Sequence, residues 1–131
     1  MNRLLSCYGL MRPPFSKDIQ PSEMLQMPHL QEALLALKAA VEGQTSAVMT
    51  GDSGCGKTCV WRALEEDLSQ GRYRVHYLSN SAVNRRDFYR QLSAALGLEA
   101  HSSFAALYNS VSQHIQELAS QHRLHVVIAL D

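Results

Sequence analysis

Residues 51–58 read GDSGCGKT, and no other stretch of the chain restricts its fold so tightly. The octapeptide satisfies the spacing G-x-x-x-x-G-K-[ST], with Gly51, Gly56, Lys57 and Thr58 at the defining positions. Such a loop turns its N–H groups inward through backbone conformations that a Cβ penalises, and it lets the oxygens of a phosphate chain come close. A strand should feed it and a helix should leave it, because the helix N-terminus adds positive potential at the same point. Residues 46–50 (SAVMT) are short, apolar and bounded by turn residues, as a buried strand would be. After the loop, Val60, Trp61, Leu64 and Leu68 recur at helical spacing, with Gly71 as the expected stop. The candidate phosphate-binding residues are therefore Gly51, Asp52, Ser53, Gly54, Cys55, Gly56, Lys57 and Thr58. Lys57 reaches the β- and γ-phosphates as a mobile point charge, which makes it the candidate catalytic residue, and the Thr58 hydroxyl coordinates Mg²⁺.

The chain has 131 residues, of which 46% are hydrophobic, enough for one ordinary core but hardly two. All 4 prolines lie at positions 13, 14, 21 and 28, so residues 1–28 are expected to be an irregular lead-in without a helix. The remainder, 29–131, is expected to carry the core. Leu30, Leu34, Leu37 and Val41 predict a helix over 29–42 that Gly43 stops, and 74–78 (RVHYL) reads as a strand. A helix from Asn84 to about Leu96 is capped by Asn84 with Asp87 three residues on and stopped by Gly97. Phe104, Leu107, Tyr108, Val111, Ile115 and Leu118 predict another, and 125–130 (HVVIAL) the last strand. Strand, helix and strand across 46–78 form a βαβ unit with parallel strands, so the class is α/β. The chain has no internal repeat and no low-complexity segment.

Several functions are disfavoured by composition. Basic and acidic residues number 12 each, so no global field draws the chain to nucleic acid or an anionic membrane. Its apolar runs are too short to span a bilayer and no signal peptide opens it, which leads us to expect a cytoplasmic protein. Cys7, Cys55 and Cys59 lack metal or redox spacing and read as reduced thiols that fit where they stand. The 6 histidines are scattered and read as non-ligands.

Two further features carry chemistry. The strand VVIAL delivers Asp131, the type of acid that holds a magnesium shell opposite a phosphate loop. Arg72, Arg74, Arg85, Arg86 and Arg90 form the one marked charge asymmetry, opposed only by Asp87. Since Arg72 and Arg74 enter a strand while Arg85 and Arg86 follow its end, the patch is split and reads first as solvated helix and strand termini, with a DNA or partner contact through Arg85, Arg86 and Arg90 as the alternative.

Taken in order, YGLMRPPFSKDI (8–19), a helix, AVMTGDSGCGKT and VVIALD resemble the opening part of bacterial AAA+ ATPases of the ExeA-like group. That group includes ATP-binding helpers of transposases and ATPases of the general secretion pathway. The resemblance implies a P-loop NTPase with a three-layer α/β/α parallel sheet of AAA+ type, here an incomplete N-terminal part. It also implies ATP and Mg²⁺ as cofactors, Asp131 as the Walker B aspartate, and a lead-in lying near the adenine side. The implied partners are DNA and a transposase, with a homo-oligomer in the longer form.

In the family a catalytic glutamate, a sensor strand, an arginine finger and a helical lid follow the aspartate, and a further strand lies between the first and third. The expectation is a truncated frame or a fragment that binds nucleotide with little turnover. The alternatives are a secretion-pathway assembly ATPase, a non-catalytic nucleotide-binding fragment and, with no acceptor site evident, a small-molecule kinase.

Overall fold

A computed structural model describes residues 2–14, 16 and 19–131. Phe15, Lys17 and Asp18 of the lead-in motif lie outside the described residues. The chain divides into two compact units, Met1–Asp67 and Leu68–Asp131.

The first unit begins with α1 (Asn2–Tyr8), where an irregular segment was expected. The prolines that motivated that expectation start only at position 13 and leave the first turns free to coil. Gly9, at φ +62°, closes the helix, and the Leu10 N–H donates to the Leu5 carbonyl at 2.8 Å. This is the Schellman arrangement that satisfies the last orphan carbonyls. A 3-10 turn (Pro21–Glu23) leads to α2 (Pro28–Glu42), which starts with its proline at the tolerated first position. At its far end, Gly43 keeps a helical φ of −79° and Gln44 takes the left-handed conformation at φ +54°. The turn-reversing residue is thus one position later than the glycine suggested, at a strain of about 1 kcal/mol.

Residues 45–50 are not a strand. No ladder reaches them, and Val48 is 88% exposed. An apolar run becomes a strand only when a neighbour satisfies its N–H and C=O groups, and the first unit has no strand among its described residues. The predicted βαβ unit across 46–78 is accordingly absent. Helix α3 (Lys57–Asp67) packs against α2 and the 3-10 turn, burying Val60 and Leu64. It ends at Asp67, before the expected stop at Gly71, and Asp67 accepts an ion pair from Lys38 of α2 at 2.5 Å.

The second unit contains the sheet. Strands β1 (Tyr73–Leu78) and β2 (His125–Leu130) pair in parallel, Tyr73 opposite His125 and Leu78 opposite Leu130. Between them the chain crosses over through α4 (Arg85–Ala95) and α5 (Phe104–Gln121). Alternation puts Arg74, His76 and Leu78 on one face with Val126, Ile128 and Leu130. Leu78 and Ile128 of that face meet Leu92 of α4 and Val111 of α5 in one core cluster, and Leu107 is fully buried. Side chains at the start of the two helices touch, so α4 and α5 run side by side with their N-termini together.

Asn84 caps α4 by accepting from the Asp87 N–H at 2.9 Å, and Gly97 ends it at φ +72°, both as the spacing predicted. The class is α/β in its parallel crossover. The sheet, however, has two strands rather than three, and the second unit by itself has two layers, helices on one face of the sheet.

Candidate functional site

The glycine loop belongs to the first unit, and its shape follows from three glycines. Gly54 and Gly56 stand at φ +82° and +100°, conformations an L side chain rarely adopts. A Cβ on Gly51 would lie 2.6 Å from the Cys55 sulfur, and one on Gly56 would lie 3.0 Å from a terminal methyl of Leu30. A Cβ is crowded at both positions, and at Gly56 the positive φ, more than the Leu30 methyl of α2, is what calls for glycine. A turn from Asp52 to Cys55, closed by the Cys55 N–H on the Asp52 carbonyl at 3.2 Å, sets the curvature.

Helix α3 starts at Lys57, so the amides of Lys57, Thr58 and Cys59 fall in its first turn, where no intrahelical acceptor exists. Among the described residues no backbone carbonyl accepts from these amides or from those of Gly54 and Gly56. The loop thus presents a set of unclaimed N–H donors at the positive end of a helix.

Lys57 completes the arrangement. Its Nζ donates to the Gly51 carbonyl at 2.7 Å and the Asp52 carbonyl at 2.9 Å, and it lies 4.0 Å from the Cys55 sulfur. The ammonium is folded over the loop, held by weak acceptors that a phosphate oxygen outcompetes. Thr58 follows with its side chain exposed. These residues fit a nucleotide's phosphate chain: donors without partners, glycines where a Cβ would intrude, and a cation at the centre. Beside the loop, the same unit holds an apolar groove lined by Pro21, Met24, Met27, Leu30, Cys59 and Val60.

Asp131 belongs to the second unit, one residue beyond β2. Its N–H donates to the Leu78 carbonyl at 3.1 Å, and its carbonyl accepts from the Ser81 hydroxyl at 2.7 Å. The carboxylate accepts from the Tyr77 hydroxyl at 2.5 Å. That hydrogen bond, with smaller contributions from burial and from the negative charge, pushes the Tyr77 phenol above its ordinary value of 10.0. Neither Tyr77 nor Ser81 was a sequence candidate. Strand alternation places Tyr77 on the face of Asp131, but only the register between β1 and β2, which composition does not encode, brings the two side chains together.

The arginines separate by their partners. Arg74 donates to the Gln70 carbonyl at 3.1 Å, Arg72 lies over the Tyr73 ring, and Arg90 pairs with Asp87 at 3.2 Å. Arg85 and Arg86 are exposed on the first turn of α4, and neither forms an ion pair among the described residues.

A glycine loop of this spacing, opening a helix and gripped by its lysine, defines the P-loop class of nucleotide-binding proteins. The family model described as AAA domain matches residues 25–131, and the chain belongs to that family. Membership carries a nucleotide-binding function of the ATPase type, with ATP and Mg²⁺ as the family's general ligands. No curated protein and no solved structure matches the chain. Among the described residues no helix is long and apolar enough to cross a membrane, and no group of three or more potential metal-ligating side chains occurs.

Proposed function

We propose that the chain binds Mg²⁺–ATP through residues 51–58 and serves as an ATP-dependent helper of DNA transposition. The observation that carries the nucleotide reading is Lys57 folded across the loop at the first residue of α3. In this reading the unclaimed amides of Gly54, Gly56 and Lys57 take the phosphate oxygens, the Lys57 ammonium leaves its two carbonyls for the β- and γ-phosphates, and the Thr58 hydroxyl takes the metal. Bound Mg²⁺–ATP supplies the phosphoanhydride whose cleavage is the family's chemistry. The apolar groove beside the loop suits the base, and its Pro21, Met24 and Met27 come from the lead-in.

Turnover by this chain is expected to be slow. Lys57 is occupied by loop carbonyls, so it must be released before it serves the reaction. The transposition role rests on the resemblance of the lead-in and on the free cations of Arg85 and Arg86, which suit DNA phosphates. Residues 1–28 would then be the lead-in on the adenine side, and 29–131 the nucleotide core.

Titration with a fluorescent ATP analogue, with and without Mg²⁺, tests the nucleotide reading. Wild type should bind and Lys57→Ala should lose about tenfold or more in affinity, two charge-assisted contacts being worth at least that much. Equal affinity of the two proteins would refute the site. Association with a transposase that depends on ATP, measured by co-purification of the two purified proteins, tests the helper role.

A further inference from the structure

Four aromatic rings meet where α4 and α5 begin. Tyr89 stands edge-on to Phe88 at 5.5 Å and to Phe104 at 5.3 Å, and Tyr108 lies 5.5 Å from Tyr89 and 6.1 Å from Phe104. Phe88 and Tyr89 belong to the margin of the core. Tyr108, by contrast, is 47% exposed, a large ring left about half in water. The Arg85 guanidinium sits over the Phe104 ring, 5.7 Å from its centroid.

Charge at this corner runs against local preference. Arg85 and Arg86 occupy the first turn of α4, where the helix dipole disfavours cations. The nearby acid does not relieve them: one Asp87 oxygen takes Arg90 at 3.2 Å and the other takes the Asn84 amide at 2.6 Å. Two cations without a carboxylate, placed at an electrostatic cost beside a half-exposed ring, break a local rule that the Phe104 contact offsets for Arg85 alone, and such violations mark functional positions.

We infer that this corner is a binding surface for single-stranded DNA. Arg85 and Arg86 contact phosphates, while the Tyr108 ring stacks against an unpaired base. Duplex DNA fits less well, because its bases are stacked on one another and offer no free face. Arg90, already paired with Asp87, takes no part. The inference rests on the proposed role of Arg85 and Arg86 as phosphate contacts and adds the strandedness of the partner and the stacking residue.

Fluorescence anisotropy of the whole chain tests it with three labelled probes of about 20 nucleotides, long enough for one binding footprint. They are an oligo-dT strand, an abasic strand of equal length, and a duplex. The oligo-dT strand should bind at least about fivefold tighter than either of the others. Tyr108→Ala should lose about fivefold on oligo-dT and nothing on the abasic strand, whereas Tyr108→Trp should retain or exceed wild-type affinity. Replacing Arg85 and Arg86 by Ala should weaken every probe and reduce the salt slope by about 1.4 on a single strand.

Arginine variants that weaken all probes while Tyr108→Ala changes none would overturn the stacking inference and leave the phosphate contacts standing. Arginine variants without effect on affinity or salt slope would overturn both. Preference for the duplex, no binding to any strand, or a Tyr108 effect confined to a protein partner would each refute the inference. Tyr108 is exposed, so its variants should keep the wild-type circular dichroism spectrum.

Discussion

The Tyr77 hydroxyl donates to the Asp131 carboxylate at 2.5 Å, tying the penultimate residue of β1 to the acid that follows β2. The bond stabilises the protonated phenol, so Tyr77 should ionise above the ordinary tyrosine value of 10.0. Its share of stability is present below that value and is lost as pH climbs through the raised folded one. Alkaline titration by ultraviolet absorbance should show one late-titrating tyrosine that disappears in Tyr77→Phe.

Glycine-to-alanine variants should separate backbone strain from function. At Gly97, φ is +72° and a Cβ meets nothing within 4 Å, so Gly97→Ala should cost about 1 kcal/mol and leave nucleotide binding intact. At Gly56, φ is +100° and the new methyl presses on Leu30 at 3.0 Å. The Leu30 methyl can turn aside, but the backbone strain remains, at about 1–3 kcal/mol. Gly56→Ala should therefore lose stability and most nucleotide affinity together, which chemical denaturation and nucleotide titration would read separately.

His76 makes the second unit sensitive to acid. Burial first, then the neighbouring His114 of α5 and Arg74 of β1, lower its pKa below 6.5. Because the folded value is depressed, its share of stability is present above pH 6.5 and declines as pH falls through the folded value. Denaturation followed by circular dichroism should show stability dropping below that pH, and His76→Gln should flatten the drop.

Local features were the readable ones. The glycine loop, the Asn84 cap and the Gly97 stop each depend on a few consecutive residues, and the structure has them as expected. The periods of α2, α4 and α5 located those helices because an apolar stripe is itself the cause of their packing. Residues 46–50 carry the same apolar run as β2, yet one forms a ladder and the other does not, since strand formation depends on a neighbour the run does not specify. Tyr77 meeting Asp131 is another product of register, and the aromatic corner arises from helices α4 and α5 starting side by side. In α1, the weight given to downstream prolines hid an ordinary helix.

A positive charge parked on its own main chain works as a latch. Because Gly51 and Asp52 already hold Lys57, little of the loop has to be frozen when an anion arrives; the toll is instead the breaking of two bonds, and it falls on the rate of capture. Simple oxyanions such as sulfate should spring that catch too, and thereby compete with nucleotide in proportion to their charge.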